Sequence, residues 1–336
     1  MFRKIVCTAV AVTVAASLTL GTALAKDTQK AVLITGASSG IGRAAAEKLA
    51  AEGYFVYAGA RKAADIEELN KINGIMAVRL DVTAQEEIDA AVKLIESEGR
   101  GLWGLVNNAG INTIDPLIEA DESDLKFLFD VNVFGVFRVT KAFAPLLIES
   151  KGRIVNISSI SGVLSGGLTG YGMYTMSKHA VEAYTDQLAF EMVGLGVNVS
   201  AIEPGNFRSE IGVTRCKRMI AESGNKEYRY FADEMKNYLD GCKEYIAAGG
   251  VSSSPPPDLV AEAIQDALFD DNPKEHYLVV ANSFESMITI SKAFEELLHL
   301  NHDHQNSYTR EELIALMDEE WAILKGEKSR DWGDED

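Results

Sequence analysis

The chain alternates short apolar runs with longer segments in which apolar residues recur at helical spacing. Short runs that are apolar almost throughout are typical of strands buried on both faces of a sheet. They fall at Val32–Ile34, Tyr54–Gly59, Leu102–Val106, Arg153–Ile157, Val197–Ile202 and Tyr277–Val280. Because helix-period segments separate them, the pattern predicts βαβ units and an α/β fold: a doubly wound parallel sheet flanked by helices.

The first apolar run leads into a glycine-rich turn. Its glycines follow the spacing Gly-x-x-x-Gly-x-Gly, and a helix-like stretch from Arg43 to Glu52 comes next. Glycines let the backbone pass close to a pyrophosphate, and a helix N-terminus offers unpaired N–H groups and a positive dipole end. A structural turn without nucleotide is the alternative. The order of strand, turn and helix favours a dinucleotide site formed by Gly36, Ser38, Ser39, Gly40, Ile41 and Gly42.

Polar or turn-forming residues also end the later strands. In a parallel sheet the carboxyl ends of the strands meet at one edge, where ligands bind. The segments expected at that edge are Asn107-Asn108-Ala109-Gly110, Ser158-Ser159 and Glu203-Pro204-Gly205.

Tyr174 and Lys178 lie four residues apart in a helix-period segment. Residues at this spacing share one helix face, so the phenol and the ammonium point into one site. A nearby positive charge favours phenolate, and we expect Lys178 to lower the pKa of Tyr174 from its ordinary value near ~10. An ordinary exposed helix face is the alternative for the pair taken alone.

Together these residues resemble the short-chain dehydrogenase/reductase family, in its single-domain branch, over residues 29–283. The resemblance rests on Thr35-Gly36-x-x-x-Gly40-x-Gly42, Asn107-Asn108-Ala109-Gly110, Asn132, Ser159, Tyr174-x-x-x-Lys178 and Pro204-Gly205. The segments 202–209 and 181–184 are most similar to retinol and hydroxysteroid dehydrogenases. The resemblance implies a Rossmann-type sheet, an NAD(P)-dependent oxidoreductase that interconverts an alcohol and a carbonyl by hydride transfer, and a homodimer or homotetramer.

The resemblance also implies roles for four residues. Tyr174 is the general acid/base, and Lys178 holds the nicotinamide ribose. Ser159 bonds the reacting oxygen, and Asn132 anchors a water of the proton relay. The family usually spaces this serine about thirteen residues before the tyrosine, which would select Ser161, and Ser158 also competes. The sequence Asn156-Ile157-Ser158-Ser159 favours Ser159. Extra residues in the loop 165–172 then account for its longer distance from Tyr174.

Cofactor preference is predicted from charge at the end of the second strand. NAD sites of this kind place a carboxylate about twenty residues beyond the glycines, whereas this chain has Arg61 there. A guanidinium pairs with a 2′-phosphate, so NADP is preferred and NAD is the alternative. An ordinary loop arginine is the competing interpretation. The family pattern adds further cofactor residues: Asp81, Val82, Asn108, Ala109, Gly110, Pro204, Gly205, Phe207 and Ser209.

Composition narrows the partners. The chain is 47% hydrophobic, so it can bury a large core. Its net charge of −18 would repel the phosphates of nucleic acid, so a nucleic-acid partner is not expected.

Two other functions compete with that of an alcohol/carbonyl oxidoreductase, one enzymatic and one not. An epimerase or dehydratase of the extended family branch needs a longer separate substrate domain. A catalytically silent nucleotide sensor or scaffold is disfavoured by the intact catalytic set.

The N-terminus predicts export. A basic head precedes the apolar run Ile5–Leu24, and Ala23-Leu24-Ala25 forms a small-residue cleavage site. Residues 1–25 are therefore interpreted as a signal peptide, with an uncleaved membrane anchor as the alternative and a cytoplasmic protein as the least favoured one. Membrane contact is expected only for the anchor.

Residues 206–257 occupy the position of the family's substrate lid, within a catalytic domain of residues 26–283. Its aromatic residues suggest a bulky apolar substrate of steroid, retinoid or lipid type, unless they merely pack the lid helices. Cys216 and Cys242 both lie there. Pairing does not follow from sequence, and two free thiols are favoured over a disulfide.

Beyond residue 283 the resemblance ends. Two amphipathic helices are predicted at Phe284–Leu300 and Thr309–Lys325, the second with a Thr309–Glu312 capping box, forming an acidic extension over residues 284–336. Between them, His299, His302 and His304 with Asp303 are interpreted as a hydrated turn, so no metal site is predicted.

Overall fold

The computed structural model describes residues 29–224 and 226–329. Its centre is one seven-stranded sheet in which every described pairing is parallel, in the order β3-β2-β1-β4-β5-β6-β7. The strands are β1 Ala31–Ile34, β2 Phe55–Ala60, β3 Ile75–Arg79, β4 Gly104–Asn107, β5 Arg153–Ile157, β6 Asn198–Pro204 and β7 His276–Val279. This confirms the predicted doubly wound fold. β3 was not predicted, although Ile75 to Val78 form a short apolar run like those of the other strands.

Helices connect the strands and extend beyond the last one. They are α1 Gly40–Ala51, α2 Ala63–Leu69, α3 Gln85–Glu98, α4 Glu122–Phe129, α5 Gly135–Ser150, α6 Gly172–Val193, α7 Ile211–Glu222, α8 Ala232–Ala247, α9 Asp258–Phe269, α10 Ser283–Leu300 and α11 Arg310–Leu324.

The core lies in two layers, one on each face of the sheet. Successive strand residues point to opposite faces: Val32 and Ile34 pack with α1 and α9, whereas Leu33 packs with α3 and α5. This explains why the strands are apolar throughout, since a polar residue in either register would enter one of the layers. Full burial of each such side chain contributes about 2 kcal/mol.

The helical run Glu122–Ser150 comprises α4, a π-helical turn Asp130–Phe134 and α5. Among the described residues it is the one helix long and apolar enough to cross a membrane. Its apolar composition has another cause, because Val139, Phe143 and Leu147 are fully buried in the layer on the sheet.

The chain divides after Met287 into two compact units. The second unit contains the end of α10 and all of α11. Both predicted C-terminal helices are confirmed within one or two residues, and the Thr309–Glu312 capping box is present. The histidine-containing stretch forms the turn between them.

The predicted lid segment forms α7 and α8, which pack against each other. The favoured prediction of two free thiols is wrong: Cys216 of α7 and Cys242 of α8 form a disulfide, with their Cα atoms 4.9 Å apart. Only the packing of two helices brings the cysteines within bridging distance, and spacing in sequence does not reveal that. The predicted leader, residues 1–25, lies outside the described residues.

Candidate active site

The glycine turn joins β1 to α1 and packs tightly on the neighbouring loop. Gly36 has φ +64°, a conformation that favours glycine. A Cβ on Gly42 would lie 2.3 Å from Asn108 Nδ2 and 2.7 Å from the carbonyl oxygen of Gly36. Glycine is therefore required here for contact between two loops of the protein, independently of any ligand.

Asn108 and Ala109 hold the turn in place. Their backbone N–H groups donate to Thr35 Oγ1 at 2.9 and 3.0 Å, and Asn108 Nδ2 donates to the carbonyl oxygens of Thr35 and Gly36. The side chain of Asn108, predicted to bind cofactor, thus shapes the turn from within.

The N-terminus of α1 is suited to an anion. Ser39 precedes the helix without a side-chain capping bond, and the first turn carries no acidic residue. Its helix dipole is therefore uncompensated by protein charge and favours a negative group. Ser209 closes over this turn, since its Cβ lies 3.0 Å from where a Cβ on Gly40 would stand.

Tyr174 and Lys178 lie on α6, beside the carboxyl end of β5. Lys178 Nζ donates to the carbonyl oxygen of Ile157 at 2.8 Å and lies 5.6 Å from the ring centroid of Tyr174. The phenol of Tyr174 lies beside the hydroxyl of Ser159, which acts to lower the pKa of the phenol. Ser159 Oγ also accepts from Ser161 N at 3.1 Å, so the structure brings Ser159, of the three competing serines, to the phenol, while Ser158 faces Glu182.

Burial dominates the protonation of this pair. It raises the pKa of Tyr174 to about 12, against a lowering by the Ser159 hydroxyl. Burial also lowers the pKa of Lys178 to about 8. The net shift of Tyr174 is opposite to the predicted direction, because removing a phenolate from water costs more than its neighbours return. At neutral pH Tyr174 is therefore a phenol, ready to donate a proton.

Asn132 sits in the π-helical turn, a distortion common at functional sites. Its amide accepts from Ile111 N at 2.8 Å and donates to the carbonyl oxygen of Ile111 and to Ser177 Oγ. Asn132 thereby ties the loop after β4 to α6. A Cβ on Gly110 would stand 3.4 Å from Asn132 Oδ1 and 4.0 Å from Lys178 Nζ, so this loop adjoins the catalytic pair. The role of Asn132 in a water relay stays a prediction.

Arg61 and Asp81 meet at the end of β2, where the adenosine end of a dinucleotide is predicted. Arg61 Nη1 lies 3.6 Å from Asp81 Oδ2, and its side chain is 59% exposed. Asp81 Oδ1 accepts from the backbone and hydroxyl of Thr83, while Val82 is buried and packs near Gly135.

Pro204, Gly205 and Phe207 lie where β6 ends. Gly205 N donates to the carbonyl oxygen of Val279 at 2.8 Å, Phe207 is buried, and Asn206 Nδ2 donates to Glu285 at 2.8 Å. The structure therefore places the predicted cofactor residues along one edge of the sheet.

A second ionisable cluster, absent from the predictions, lies behind Lys178. Burial raises the pKa of Glu182 to about 7. His276 Nδ1 lies 2.7 Å from Glu203 Oε1 and Nε2 lies 3.0 Å from Asp186 Oδ1, and the bond to Glu203 raises the pKa of His276 to about 9. The four-residue spacing of Lys178 and Glu182 was a usable signal, since it puts both on one face of α6.

The sequence also gave no reason to single out Arg215. It lies on α7, and its Nη1 donates to Tyr171 Oη at 2.9 Å. Tyr171 is three residues before Tyr174 in the sequence. No pattern in the chain links a lid residue to a helix more than forty positions earlier, so only the fold shows this contact.

These residues fit a nicotinamide dinucleotide. The uncapped α1 N-terminus suits the pyrophosphate, Arg61 and Asp81 suit the adenosine end, and Lys178 lies beside the Tyr174 phenol.

Comparison with known proteins agrees with this arrangement. Residues 30–219 match the short chain dehydrogenase family. The chain is 37% identical to the mitochondrial D-beta-hydroxybutyrate dehydrogenase of Bos taurus over 74% of this chain and 76% of that protein. It is 34% identical to 17-beta-hydroxysteroid dehydrogenase type 6 of Homo sapiens over 74% of this chain and 80% of that protein.

Solved structures agree as well. A short-chain dehydrogenase from Streptomyces avermitilis is 27% identical, with a TM-score of 0.63 over 90% of this chain and 99% of that one. ElxO with NADP bound is 26% identical, with a TM-score of 0.59 over 75% of this chain and 96% of that one. The chain therefore belongs to the short-chain dehydrogenase family and is an NAD(P)-dependent oxidoreductase, as its sequence motifs predicted.

Proposed function

We propose that this short-chain dehydrogenase reduces a ketone to a secondary alcohol, and catalyses the reverse oxidation, with NADP as preferred cofactor and Tyr174 as general acid/base. One observation carries the proposal: Tyr174 lies beside Ser159, close enough for the serine hydroxyl to act on its pKa, and the Lys178 ammonium lies 5.6 Å from the Tyr174 ring on the same helix.

Each of the three side chains has a separate task. A bound nicotinamide supplies the hydride donor or acceptor. Tyr174, neutral because burial raises its pKa to about 12, donates its proton to the carbonyl oxygen during reduction. The Ser159 hydroxyl donates to the same oxygen and stabilises the developing negative charge. Lys178, while protonated, stabilises the phenolate that remains.

The preference for NADP is supported by Arg61. Its guanidinium is largely exposed at the end of β2, and its partner Asp81 is also bonded to Thr83. A guanidinium there can pair with a 2′-phosphate. The relative ElxO, which has NADP bound in its solved structure, supports the same preference.

For the substrate we propose a molecule with a substantial apolar portion, enclosed by the lid of residues 206–257. The relatives carry the names of a hydroxybutyrate and a hydroxysteroid dehydrogenase, which differ greatly in size. Apolar lid side chains support the proposal: Met219, Met235 and Leu239 line a cavity there.

We propose a homodimer or homotetramer as the working form. Phe134, Phe137 and Phe190 are 48–75% exposed on the π turn, α5 and α6. Phe137 of α5 contacts Tyr184 of α6 edge-on, so the two helices are neighbours, and large apolar side chains exposed on neighbouring helices are typical of an interaction surface.

We further propose that residues 1–25 export the protein or anchor it to a membrane. The disulfide between Cys216 and Cys242 supports an oxidising compartment. Fractionation of cells carrying a tagged full-length chain tests this, and a cytosolic signal would refute export.

The catalytic proposal is tested with the Tyr174→Phe variant. Wild type should oxidise NADPH with a panel of ketones, and the variant should lose about 1,000-fold in kcat while binding NADPH with unchanged affinity. Equal turnover by both proteins would exclude Tyr174 as the acid. Absence of turnover by wild type with intact NADPH binding would favour the silent sensor or scaffold.

A further inference from the structure

A cavity of about 250 Å³ lies between the lid helices and the loop that follows β4. One part of its wall is apolar, with Ile114, Met219, Met235 and Leu239, and another part is polar, with Asn112, Thr113 and Arg215. Such a cavity suits a ligand that has one apolar and one polar end.

The basic side chains of this wall differ in their partners. Arg218 contacts Asp124 and Glu222, Lys226 contacts Asp115 and Asp121, and Lys236 lies 2.9 Å from Asp240. Among the described residues, Arg215 is the cation of this cavity that has no carboxylate partner.

Polar atoms of the same wall also lack partners. Arg215 Nε, Asn112 Oδ1, Thr113 Oγ1 and Asp115 Oδ1 are buried without a hydrogen bond to another described residue. A buried polar atom destabilises the fold when nothing bonds to it. Four such atoms around one cavity, together with a guanidinium that has no carboxylate partner, indicate a polar ligand.

Arg215 is close to the reacting groups. Its Nη1 bonds to the hydroxyl of Tyr171 at 2.9 Å, and Tyr171 is the N-cap of α6, three residues before Tyr174. The charge of Arg215 acts on Tyr174, where it opposes the rise in pKa caused by burial. The ring of Tyr238 packs edge-on against Tyr171 and helps to fix it.

We propose that Arg215, with Tyr171 beside it, binds a carboxylate of the substrate, and that the preferred substrates are oxo- and hydroxycarboxylates whose apolar chain enters the lid cavity. The proposal rests on the oxidoreductase function and specifies its substrate class. A carboxylate matches the paired donors of a guanidinium. The cavity wall carries four basic and three acidic side chains, so its charge suits a monoanion better than a phosphate dianion.

The test compares substrates that differ only in charge. Oxocarboxylates of four to eight carbons and their methyl esters are offered to the full chain with NADPH. Wild type should prefer the acid, and Arg215→Met should reduce that acid-to-ester ratio of kcat/KM by about 30-fold, the usual cost of losing a bond to a charged group. Arg215→Lys should retain part of the ratio. Lys217→Met, which removes an exposed charge of the same helix, is the matched control and should behave as wild type.

Two outcomes would overturn the proposal. One is an equal loss on acid and ester in Arg215→Met, which would show a structural role, and the other is a wild type that prefers esters.

A binding measurement separates this proposal from the catalytic one. Calorimetric titration of the Tyr174→Phe variant, loaded with NADPH, with hexanoate should show binding that Arg215→Met abolishes. Hexanoate binding without turnover by wild type would sustain the carboxylate site and refute the catalytic function. Turnover of ketones without hexanoate binding would support the catalytic function and refute the carboxylate site. Binding of inorganic phosphate in place of hexanoate would also refute the carboxylate site.

Discussion

The two sides of the site are built in different ways. On the sheet side, the glycine turn, Asn108, Asn132 and Lys178 are held largely by hydrogen bonds to backbone groups. On the lid side, α7 and α8 are held by ion pairs such as Arg218–Asp124 and by one disulfide. Backbone-directed bonds fix atoms closely, whereas an ion pair between two long side chains, such as Arg218–Asp124 with 26% and 25% exposure, holds its elements less rigidly. The sheet side, which carries the predicted cofactor and catalytic residues, is therefore held rigidly. The lid side, which we expect to contact the substrate, is held less rigidly and can change to accept different substrates.

The largest difference in stability between the sheet side and the lid is expected when alanine replaces one glycine on each side, Gly42 and Gly212. Gly42→Ala forces a methyl group against Asn108 and the backbone of Gly36. It should lower the free energy of unfolding by about 3 kcal/mol and weaken NADPH binding, because the turn is displaced. Urea unfolding and NADPH titration measure the two effects.

The control for this variant lies on the lid. Gly212→Ala, in α7, meets no atom within 4 Å and should be neutral or slightly stabilising, since alanine favours a helix. A Gly42→Ala protein as stable as Gly212→Ala would contradict the close packing of the sheet side.

The disulfide should affect the stability of the lid helices and not the binding of NADPH. Its reduction frees α7 from α8 and should lower the stability of the lid by about 2.5 kcal/mol. Hydrogen exchange of the α7 and α8 amides should accelerate, and NADPH affinity should not change. The double variant Cys216→Ser/Cys242→Ser should show no response to reductant, and unchanged exchange in reduced wild type would argue against the bridge.

A pH effect is expected from Glu182, on the sheet side. Burial raises its pKa from 4.5 to about 7, so the folded state binds more protons than the unfolded state between these values. Stability from this group is present below pH 4.5 and is lost as pH rises to 7. The neighbouring charges of Glu203, Asp186, His276 and Lys178 are common to wild type and variant.

Glu182→Gln removes the ionisable carboxyl, so the variant should not lose this part of the free energy of unfolding as pH rises. Relative to the variant, wild type should lose about 2 kcal/mol between pH 4.5 and 7, measured by urea unfolding at several pH values. Parallel pH profiles for the two proteins would show that the carboxyl has an ordinary pKa.

The smallest effect is expected at Arg61, where the site opens to solvent. Arg61→Ala should weaken NADPH binding about tenfold, or 1.4 kcal/mol, because the 2′-phosphate loses its partner. NADH binding should be nearly unchanged. Lys62→Ala is the neighbouring control, and an equal loss for both cofactors would refute the role of Arg61 in selecting NADP.

Local patterns predicted the sheet side well and the lid poorly. Gly36, Gly42, Tyr174 and Lys178 lie in motifs whose geometry follows from a turn or one helix face. Arg215 meets Tyr171, and Cys216 meets Cys242, only through the packing of separate elements.

The sequence by itself determined the α/β fold, the edge of the sheet that carries the candidate site, and the placement of Tyr174 and Lys178 on one helix face, because strand and helix periods and residue spacing are local properties. Tertiary structure decided which serine lies beside Tyr174, the disulfide, the shifted pKa values and the position of Arg215, which has no carboxylate partner among the described residues. These depend on burial and on contacts between distant segments, which desolvate charges and bring side chains together in ways that no local pattern records.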